Sequence, residues 1–440
     1  MKALCILIAI LLGVNNVFIH YKIGGISYDR LLEISIFFLL IRGYLRELTE
    51  SKFFRLFNLF LLVFFVLQLL VDFRFALSGN LEFEKLLRDC ARFLSYVSFA
   101  YLFLFVAKKS LRYVNIILLC QCMSFGFAVL QHPASPFAGT MMQIKQSLFA
   151  PLEVNEMEEN FAAEEEYVTL GMGEKFRVSG PFNNSIALAY LSLSSFFLSY
   201  YMFYRTRYKL YLLNCAFIMF VSVLSQTRSV LLAELLFATG LLAFSQYPKV
   251  RVFSRTVFAI GAFAFVFNSV FDNILLRSPE GEPSTRILKF NDEGSDRPLL
   301  WVTGLYAVGS NPVGITEREY MEAKKEMFSV FKSPAILAVA AHNGFVNIGF
   351  NYTILGYFAF IVFGMFLVAQ SGRLPYSLKI IFRLFFIAYM INSFFHNNFI
   401  FDSDYDVLMV MMVMSIECSR WAAHTKRFLT VKPSPFKQTA

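Results

Sequence analysis

Charged side chains are scarce in this sequence. Only 16% of its 440 residues are Asp, Glu, Lys or Arg, whereas 57% are hydrophobic and 54 are phenylalanine. Soluble globular domains carry about 25% charged residues. The composition therefore excludes an ordinary soluble protein and indicates a protein embedded in a lipid bilayer.

Cysteine is also rare. The six cysteines lie in or beside apolar runs, and none shows paired spacing in a polar loop: Cys5, Cys90, Cys120, Cys122, Cys215 and Cys418. This distribution argues against a disulfide framework and against a zinc site, and we expect no bound metal.

Three further features are missing. The sequence has no Gly-rich phosphate loop with its lysine, which argues against ATP hydrolysis. It has no soluble cytoplasmic domain that could bind a nucleotide sugar, and no internal repeat of the kind many transporters show. We expect no cofactor.

Apolar runs of membrane-spanning length fill most of the chain. A transmembrane helix needs about 20 mostly apolar residues. Twelve runs approach this length, at 3–19, 31–45, 54–73, 91–107, 112–131, 184–204, 210–226, 229–246, 256–272, 343–369, 379–397 and 405–420. The sequence therefore predicts an all-α polytopic membrane protein with about 12 transmembrane helices, forming a single integral membrane domain over residues 1–440.

Basic residues fall in alternate short loops, which marks those loops as cytoplasmic. Together with Lys2 and residues 417–440, these loops hold 22 basic and three acidic residues. The net charge of +9 thus reports topology and not a nucleic-acid partner. The pattern predicts both termini in the cytoplasm, a basic cytoplasmic tail over 421–440 and an uncleaved first span.

Two large loops are expected on the outer side. The first, 132–180, contains eight Glu, which is typical of a solvated cover. Cation binding or substrate guidance is the alternative interpretation of these acidic residues.

The second outer loop, 272–341, carries helix signals. Arg297-Pro298 predicts a helix start, and Asn311-Pro312-Val-Gly314 predicts its end. Thr316-Glu-Arg-Glu319 is a capping box that should open an amphipathic helix. We expect this helix to lie along the outer membrane surface as a lid or platform beside a site.

Two arginines stand where the charge rule predicts none. Arg177 precedes Gly180-Pro181 and a helix that should begin near Asn184, and Arg228 lies in a short turn between two apolar runs. Each could bind an anion near a helix start. The alternatives are contact with lipid headgroups for Arg177 and an intraprotein ion pair for Arg228, with Glu234 on a different helix face.

Histidines end two of the outer segments. His342 precedes Asn343-Gly344 at the start of the tenth run, and His396 ends the eleventh. An interfacial hydrogen bond is the usual role of such a histidine, and general-base catalysis is the alternative.

An acidic turn precedes the last run. Asp402-Ser-Asp404-Tyr-Asp406 resembles the start of a calcium loop, but Val407 and Val413 stand where such a loop needs Gly and Glu. We interpret it as an acidic outer turn, and a looser divalent-metal site stays open.

The order of these elements resembles the bacterial superfamily of O-antigen ligases and O-antigen or exopolysaccharide polymerases. The matching motifs, over about residues 170–370, are Arg177-Val-Ser-Gly180-Pro-Phe-Asn-Asn, Ser225-Gln-Thr-Arg228-Ser, Arg297-Pro-Leu-Leu-Trp301, Asn311-Pro312-Val-Gly314, Ala-His342-Asn343-Gly-Phe and Leu355-Gly356. The acidic loop 150–166 and the turn from Asp402 to Asp406 depart from that pattern.

The resemblance implies metal-independent glycosyl transfer on the periplasmic face of the bacterial inner membrane. The donor would be a glycan on polyprenyl pyrophosphate, and the acceptor another lipid-linked saccharide. Arg177 and Arg228 would hold the pyrophosphate and His342 would act on the attacking hydroxyl, with Arg297, Asn343 and His396 as secondary candidates.

A polymerase is the leading expectation, with a chain-length regulator protein as a further partner. The first alternative is a ligase that moves the finished glycan to lipid A core. The second is a non-enzymatic flippase or transporter of lipid-linked oligosaccharides, which should line its centre with polar groups.

Overall fold

The computed structural model describes residues 1–18, 21–23, 26–77, 83–149, 177–225, 227–244, 247–266, 297–333, 335–338, 343–395, 401 and 404–430. This part of the chain is almost entirely α-helical. Its one sheet is the antiparallel pair β1 (Lys22–Ile23) and β2 (Ile26–Ser27).

The first half of the chain forms α1 (Lys2–Gly13), α2 (Tyr28–Leu39), α3 (Ile41–Glu50), α4 (Lys52–Leu77), α5 (Phe83–Lys109), α6 (Leu111–Gln131) and α7 (Ala138–Ile144), which continues into a π-helical turn, Lys145–Phe149. The second half forms α8 (Ser185–Thr206), α9 (Leu210–Leu224), α10 (Arg228–Ala243), α11 (Pro248–Val266), α12 (Arg297–Ser310), α13 (Glu317–Phe331), α14 (Ala335–Ala338), α15 (Gly344–Ser371), α16 (Tyr376–Phe395) and α17 (Asp406–Thr430).

Six helices in the described part of the chain are long and apolar enough to cross a membrane: α4, α5, α6, α8, α15 and α16. Their outer faces expose large apolar side chains, such as Phe358 (63% exposed) and Met365 (66%) on α15. Such surfaces are suited to lipid. The fold class predicted from the sequence, an all-α membrane protein, is confirmed at this level.

The other predicted spans also coincide with helices, but shorter or less apolar ones. Helix α1 has 12 residues and α9 has 15. The second predicted run, 31–45, is divided between α2 and α3 at Leu40. Helix α3 has no buried residue, because charged side chains occupy much of its surface.

Several helix boundaries follow the local signals in the sequence. The side chain of Asn184 accepts the Ala187 N–H at 2.9 Å and caps α8. Thr316 and Glu319 form the expected reciprocal capping box at the start of α13. Helix α12 begins at Arg297 and ends at Ser310, just before the Asn311-Pro312 turn. These predictions are confirmed.

Helix α5 begins earlier than expected. Its predicted span was 91–107, whereas the helix starts at Phe83. Its first turns hold Lys85 and Asp89, which are part of ion pairs with Asp72 and Arg92. Because these charges are paired, the residues can be part of a helix, although the hydropathy pattern assigned them to a loop.

The core is formed around α17 and α5. From Val407 to Met414 every residue of α17 is at most 2% exposed, and α5 is nearly as buried from Tyr96 to Ala107. Both helices pack on each other, and α17 also contacts α4 and α8. A continuously apolar helix of this kind belongs inside a bundle.

Side-chain contacts fix the relative directions of α8, α10 and α16. Phe197 of α8 packs on Phe382 of α16 at 5.4 Å between ring centroids, and Tyr190 interacts with Tyr389, so these helices are antiparallel. Phe197 also packs on Phe237 of α10 at 6.0 Å. We call the end of the bundle where the loops 132–184 and 267–343 attach the long-loop end.

Candidate functional site

The segment that carries Arg177 is fixed on the end of α6. The backbone N–H groups of Ser179 and Gly180 both donate to Oε1 of Gln131, at 3.1 and 2.9 Å. Gly180 has φ +60°, and a Cβ there would lie 3.1 Å from the Ser124 carbonyl oxygen. This position therefore favours glycine. The anchored segment leaves Arg177 exposed at the surface.

A lysine that the sequence analysis did not select lies beside this segment. Lys145, in the π-helical turn, is only 5% exposed, and its Nζ donates to the Ser179 hydroxyl at 2.5 Å. The ammonium group of Lys145 thus contacts a residue that is two positions after Arg177 in the sequence. The sequence did offer one signal for Lys145: it is a lysine in the loop 132–180, where most charged residues are glutamate.

Arg228 is the first residue of α10. The turn before it is stabilised by its own hydroxyl groups: Ser225 Oγ donates to the Ser222 carbonyl at 2.9 Å and accepts the Thr227 N–H at 3.3 Å. Arg228 itself is exposed. These local hydrogen bonds thus stabilise the polar turn, and the guanidinium group of Arg228 remains exposed.

The ion pair between Arg228 and Glu234 does not form. Glu234 is fully buried and accepts the Ser222 hydroxyl at 2.9 Å. Within the described residues, neither Arg177 nor Arg228 has a carboxylate partner. Both guanidinium groups are exposed, and no carboxylate of the described residues neutralises either of them.

Helix packing places Arg228 at the same height along the bundle axis as the start of α8 and the end of α16. A Cβ at Gly240 of α10 would lie 2.6 Å from Leu384 of α16. Arg228 precedes Gly240 by twelve residues, about 18 Å of helix. In this antiparallel pair it is therefore level with the end of α16 at Phe395. The hydrogen-bonded set of Ser192, Ser222 and Glu234 likewise places Arg228 level with the first turn of α8.

Asn343 caps α15. Its Oδ1 accepts the N–H groups of Phe345 and Val346 at 2.8 and 3.2 Å, and the side chain is 1% exposed. This secondary candidate is therefore a helix cap, and its acceptor oxygen is already used. His342 lies outside the described residues and is joined directly to this cap.

His396 also lies outside the described residues, immediately after Phe395. The neighbouring Phe394 packs on Phe345 at 6.0 Å between ring centroids. The start of α15 and the end of α16, where the two histidines are attached, are thus in contact.

The Arg297-Pro-Leu-Leu-Trp301 motif packs on the same helix end. Trp301 contacts Phe394 at 4.4 Å between ring centroids, and Leu299 and Leu300 are buried. Trp301 thus contacts α16, whereas Leu299 and Leu300 pack against α13 and α14. The side chain of Arg297 lies outside the description, although its backbone begins α12.

The apolar face of α13 is covered by protein. Ala323 packs with residues of α12, and Met327, Phe328 and Phe331 pack with Leu299, Leu300 and Ile336. These residues therefore face α12 and α14 and not lipid, while the position of the helix along the outer membrane surface stays a prediction. Buried Lys324 donates to the Leu337 carbonyl at 3.3 Å, and burial lowers the pKa of its ammonium group.

The acidic turn is not solvated as expected. Asp404 and Asp406 are 4% and 5% exposed, and Asp406 accepts Nδ2 of Asn15 at 3.2 Å. Burial, together with neighbouring Asp406, raises the pKa of Asp404 to about 7. Asp402 lies outside the described residues. The turn is a buried junction between the first and last helices, and sequence pattern alone could not reveal this partner.

Asn392 is a further polar group that the sequence did not single out. It is 1% exposed near the end of α16, and among the described residues neither Nδ2 nor Oδ1 has a hydrogen-bond partner. An unsatisfied buried amide is costly, so the site is suited to a bound polar group or water.

The comparisons with known proteins add no relative. No family model matches the chain, and no curated protein or solved structure is similar enough to be counted as a neighbour. In the described part of the chain, no group of three or more His, Cys, Asp or Glu side chains is placed to hold a metal ion.

Proposed function

We propose that this protein is a polysaccharide polymerase. It transfers a glycan from polyprenyl pyrophosphate to a lipid-linked repeat unit on the periplasmic face of the bacterial inner membrane. In this proposal the chain has about 12 spans with both termini in the cytoplasm, and the long-loop end faces the periplasm.

The observation that carries the proposal is the common level of two exposed arginines, neither of which pairs with a carboxylate of the described residues. Arg228 begins α10 level with the first turn of α8, and Arg177 lies on the segment that leads into α8. Cleavage at the anomeric carbon releases a pyrophosphate, so negative charge grows on the leaving group. Preplaced guanidinium groups would stabilise that charge most in the transition state.

His342 is the proposed general base. An imidazole ordinarily titrates close to neutral pH, so it can accept a proton from the attacking sugar hydroxyl. Its neighbour Asn343 caps α15. By the resemblance, the reaction uses neither a metal nor a cofactor, and the pyrophosphate is already an activated leaving group.

One observation favours the transporter alternative. Glu234 is a fully buried carboxylate within α10, beside Ser192 and Ser222, and ionisable groups inside membrane helices often mark transport pathways. Arg177 and Arg228 are near helix ends instead, which supports chemistry at the membrane surface.

Deletion of the gene separates the alternatives. Loss of a polymerase leaves lipid A core with a single repeat unit or no polymer. Loss of a ligase leaves bare core while lipid-linked polymer accumulates, and loss of a flippase leaves repeat units in the cytoplasmic leaflet. Either of the last two phenotypes would contradict the polymerase.

A further inference from the structure

The segment that presents Arg177 is inserted into the bundle. Arg177 is exposed, whereas each of the next five residues, 178–182, is buried. Val178 is 0% exposed and Phe182 is 2% exposed, so apolar packing holds the segment at both ends. Because two residues of chain span at most about 7 Å, the backbone of Arg177 stays close to Ser179. Any contact that fixes Ser179 therefore restricts the position of Arg177.

Ser179 is held by two neighbouring parts of the chain. Gln131, at the end of α6, accepts the Ser179 backbone N–H at 3.1 Å, and Lys145 donates to the Ser179 hydroxyl group at 2.5 Å. Nε2 of Gln131 also donates to Met142 Sδ on α7. Gln131 and Lys145 thus bond to the backbone and to the side chain of one serine. Together they fix Ser179 relative to α6 and to the turn after α7.

Lys145 is unusual both in its burial and in its backbone. It is 5% exposed, and a lysine is almost never fully buried unless it is paired. It also begins the π-helical turn Lys145–Phe149. Such turns are rare and frequently occur at functional sites. Because a buried charge is weak evidence for stability, these features favour a role that an apolar side chain could not perform.

We infer that Lys145 is a positioning residue for Arg177. Its ammonium group bonds to Ser179 and so fixes the segment from which the guanidinium group of Arg177 reaches a pyrophosphate. The positive charge of the ammonium group also favours an anion near this segment. The inference rests on the proposed function for pyrophosphate as the ligand, and Lys145 itself needs no contact with that ligand.

The test is isothermal titration of the full-length protein, in neutral-lipid nanodiscs, with inorganic pyrophosphate. Lys145→Met and Arg177→Ala should each weaken binding about tenfold, which is within the range of coupling between neighbouring residues. The double variant should bind no more weakly than Arg177→Ala alone, because Lys145 acts through Arg177. When Lys145→Met is combined with Arg228→Ala the two losses should multiply, since Arg228 begins a separate helix, α10.

Two further variants separate positioning from loss of charge and from misfolding. Lys325→Met removes the same charge from an exposed position on α13 and should bind pyrophosphate as the wild type does. Ser179→Ala keeps Lys145 but removes the hydroxyl acceptor, so it should weaken binding and show the same dependence on Arg177. Melting temperatures identify the variants that remain folded, and Ser179→Ala replaces Lys145→Met if the latter does not fold.

Binding that either folded variant, Lys145→Met or Ser179→Ala, leaves unchanged would overturn the positioning role. Losses that multiply in combination with Arg177→Ala, or a wild type that binds no pyrophosphate, would overturn it too. If the coupling with Arg177 is found but no glycan is transferred, the proposed function fails and the positioning role stands. If Lys145→Met transfers glycan at the wild-type rate, the positioning role fails and the proposed function stands.

Discussion

The carbonyl oxygen of Pro312 accepts a hydrogen bond from the backbone N–H of Ile354 at 2.9 Å. Helix α15 is interrupted at Tyr352 and Thr353, so the N–H of Ile354 lacks its usual helical acceptor. The turn after α12 supplies one. The second long loop is therefore joined to the helix that begins beside His342.

Substitution of Gly314 should loosen this junction. Gly314 has φ +120°, and a Cβ there would lie 3.4 Å from Val71. Gly314→Ala should cost about 1–3 kcal/mol, because an L-residue is strained at that angle. Gly309→Ala is the control, since Gly309 is helical with open space around it, and its stability should not fall. Thermal unfolding in detergent measures both, and equal melting temperatures would contradict the account.

Removal of the Arg177 or the Arg228 side chain should strongly slow glycan transfer. Arg177→Ala and Arg228→Ala should each lower the transfer rate by about 100-fold or more, because a charge-stabilising donor is lost from the transition state. Protein yield and melting temperature should change little, since neither side chain pairs with a carboxylate of the described residues. Assays on isolated membranes with Arg318→Ala as control would detect the difference, and full activity of Arg228→Ala would exclude its role.

The two histidines give a separate prediction. His342→Ala should abolish transfer, because no other group then accepts the hydroxyl proton, and His396→Ala should retain most of it. The pH dependence of the rate provides a second readout, since loss of a general base removes the acidic limb of the profile. If the effects are reversed, His396 is the base.

Acid should open the first turn of α13. Burial acts to raise the pKa of Glu319, but hydrogen bonds from Thr316 and the nearby Arg74, 2.6 Å away, outweigh it and lower the pKa. The stability that this carboxylate contributes is therefore present above its unfolded pKa and is lost as the pH falls through the folded value.

Amide hydrogen exchange of residues 317–322, corrected for the intrinsic rate, measures this effect. Protection should decrease on acidification in the wild type and change less in Glu319→Gln, which keeps a capping side chain without the charge. Identical pH dependence in both proteins would show that Glu319 is not the responsible group.

A buried arginine joins the N-terminal and C-terminal parts of the chain. Arg30 Nη1 lies 2.8 Å from Glu33, and its guanidinium lies 3.5 Å from the ring centre of Tyr405. Arg30→Met should destabilise the protein by about 3–5 kcal/mol, because Glu33 would remain buried without a partner. Adding Glu33→Leu should restore part of the melting temperature. A double variant no more stable than the single one would contradict this explanation.

Features set by neighbouring residues were predictable from the sequence. The Asn184 cap, the Thr316 capping box and the ends of α12 depend on residue types a few positions apart, and each formed as expected. The apolar runs likewise became helices, because bilayer-length hydrophobic segments have few other stable structures.

Features that depend on distant segments were not predictable in the same way. The covered face of α13 and the buried Asp404 arise from packing between parts of the chain far apart in sequence. A cavity between α4, α5, α13 and α15 was missed because these helices meet only in the fold. Lys85, Arg88 and Arg92 at helical spacing, on a side where basic residues are not expected, were its available sequence signal.

The most direct test is reconstitution of the purified protein in liposomes with a single polyprenyl-pyrophosphate-linked repeat unit, followed by electrophoresis of the released glycans. The account predicts a ladder of glycans that lengthens with time and is absent with Arg228→Ala. Glycans that keep their original length while the lipid-linked units cross the bilayer would contradict it.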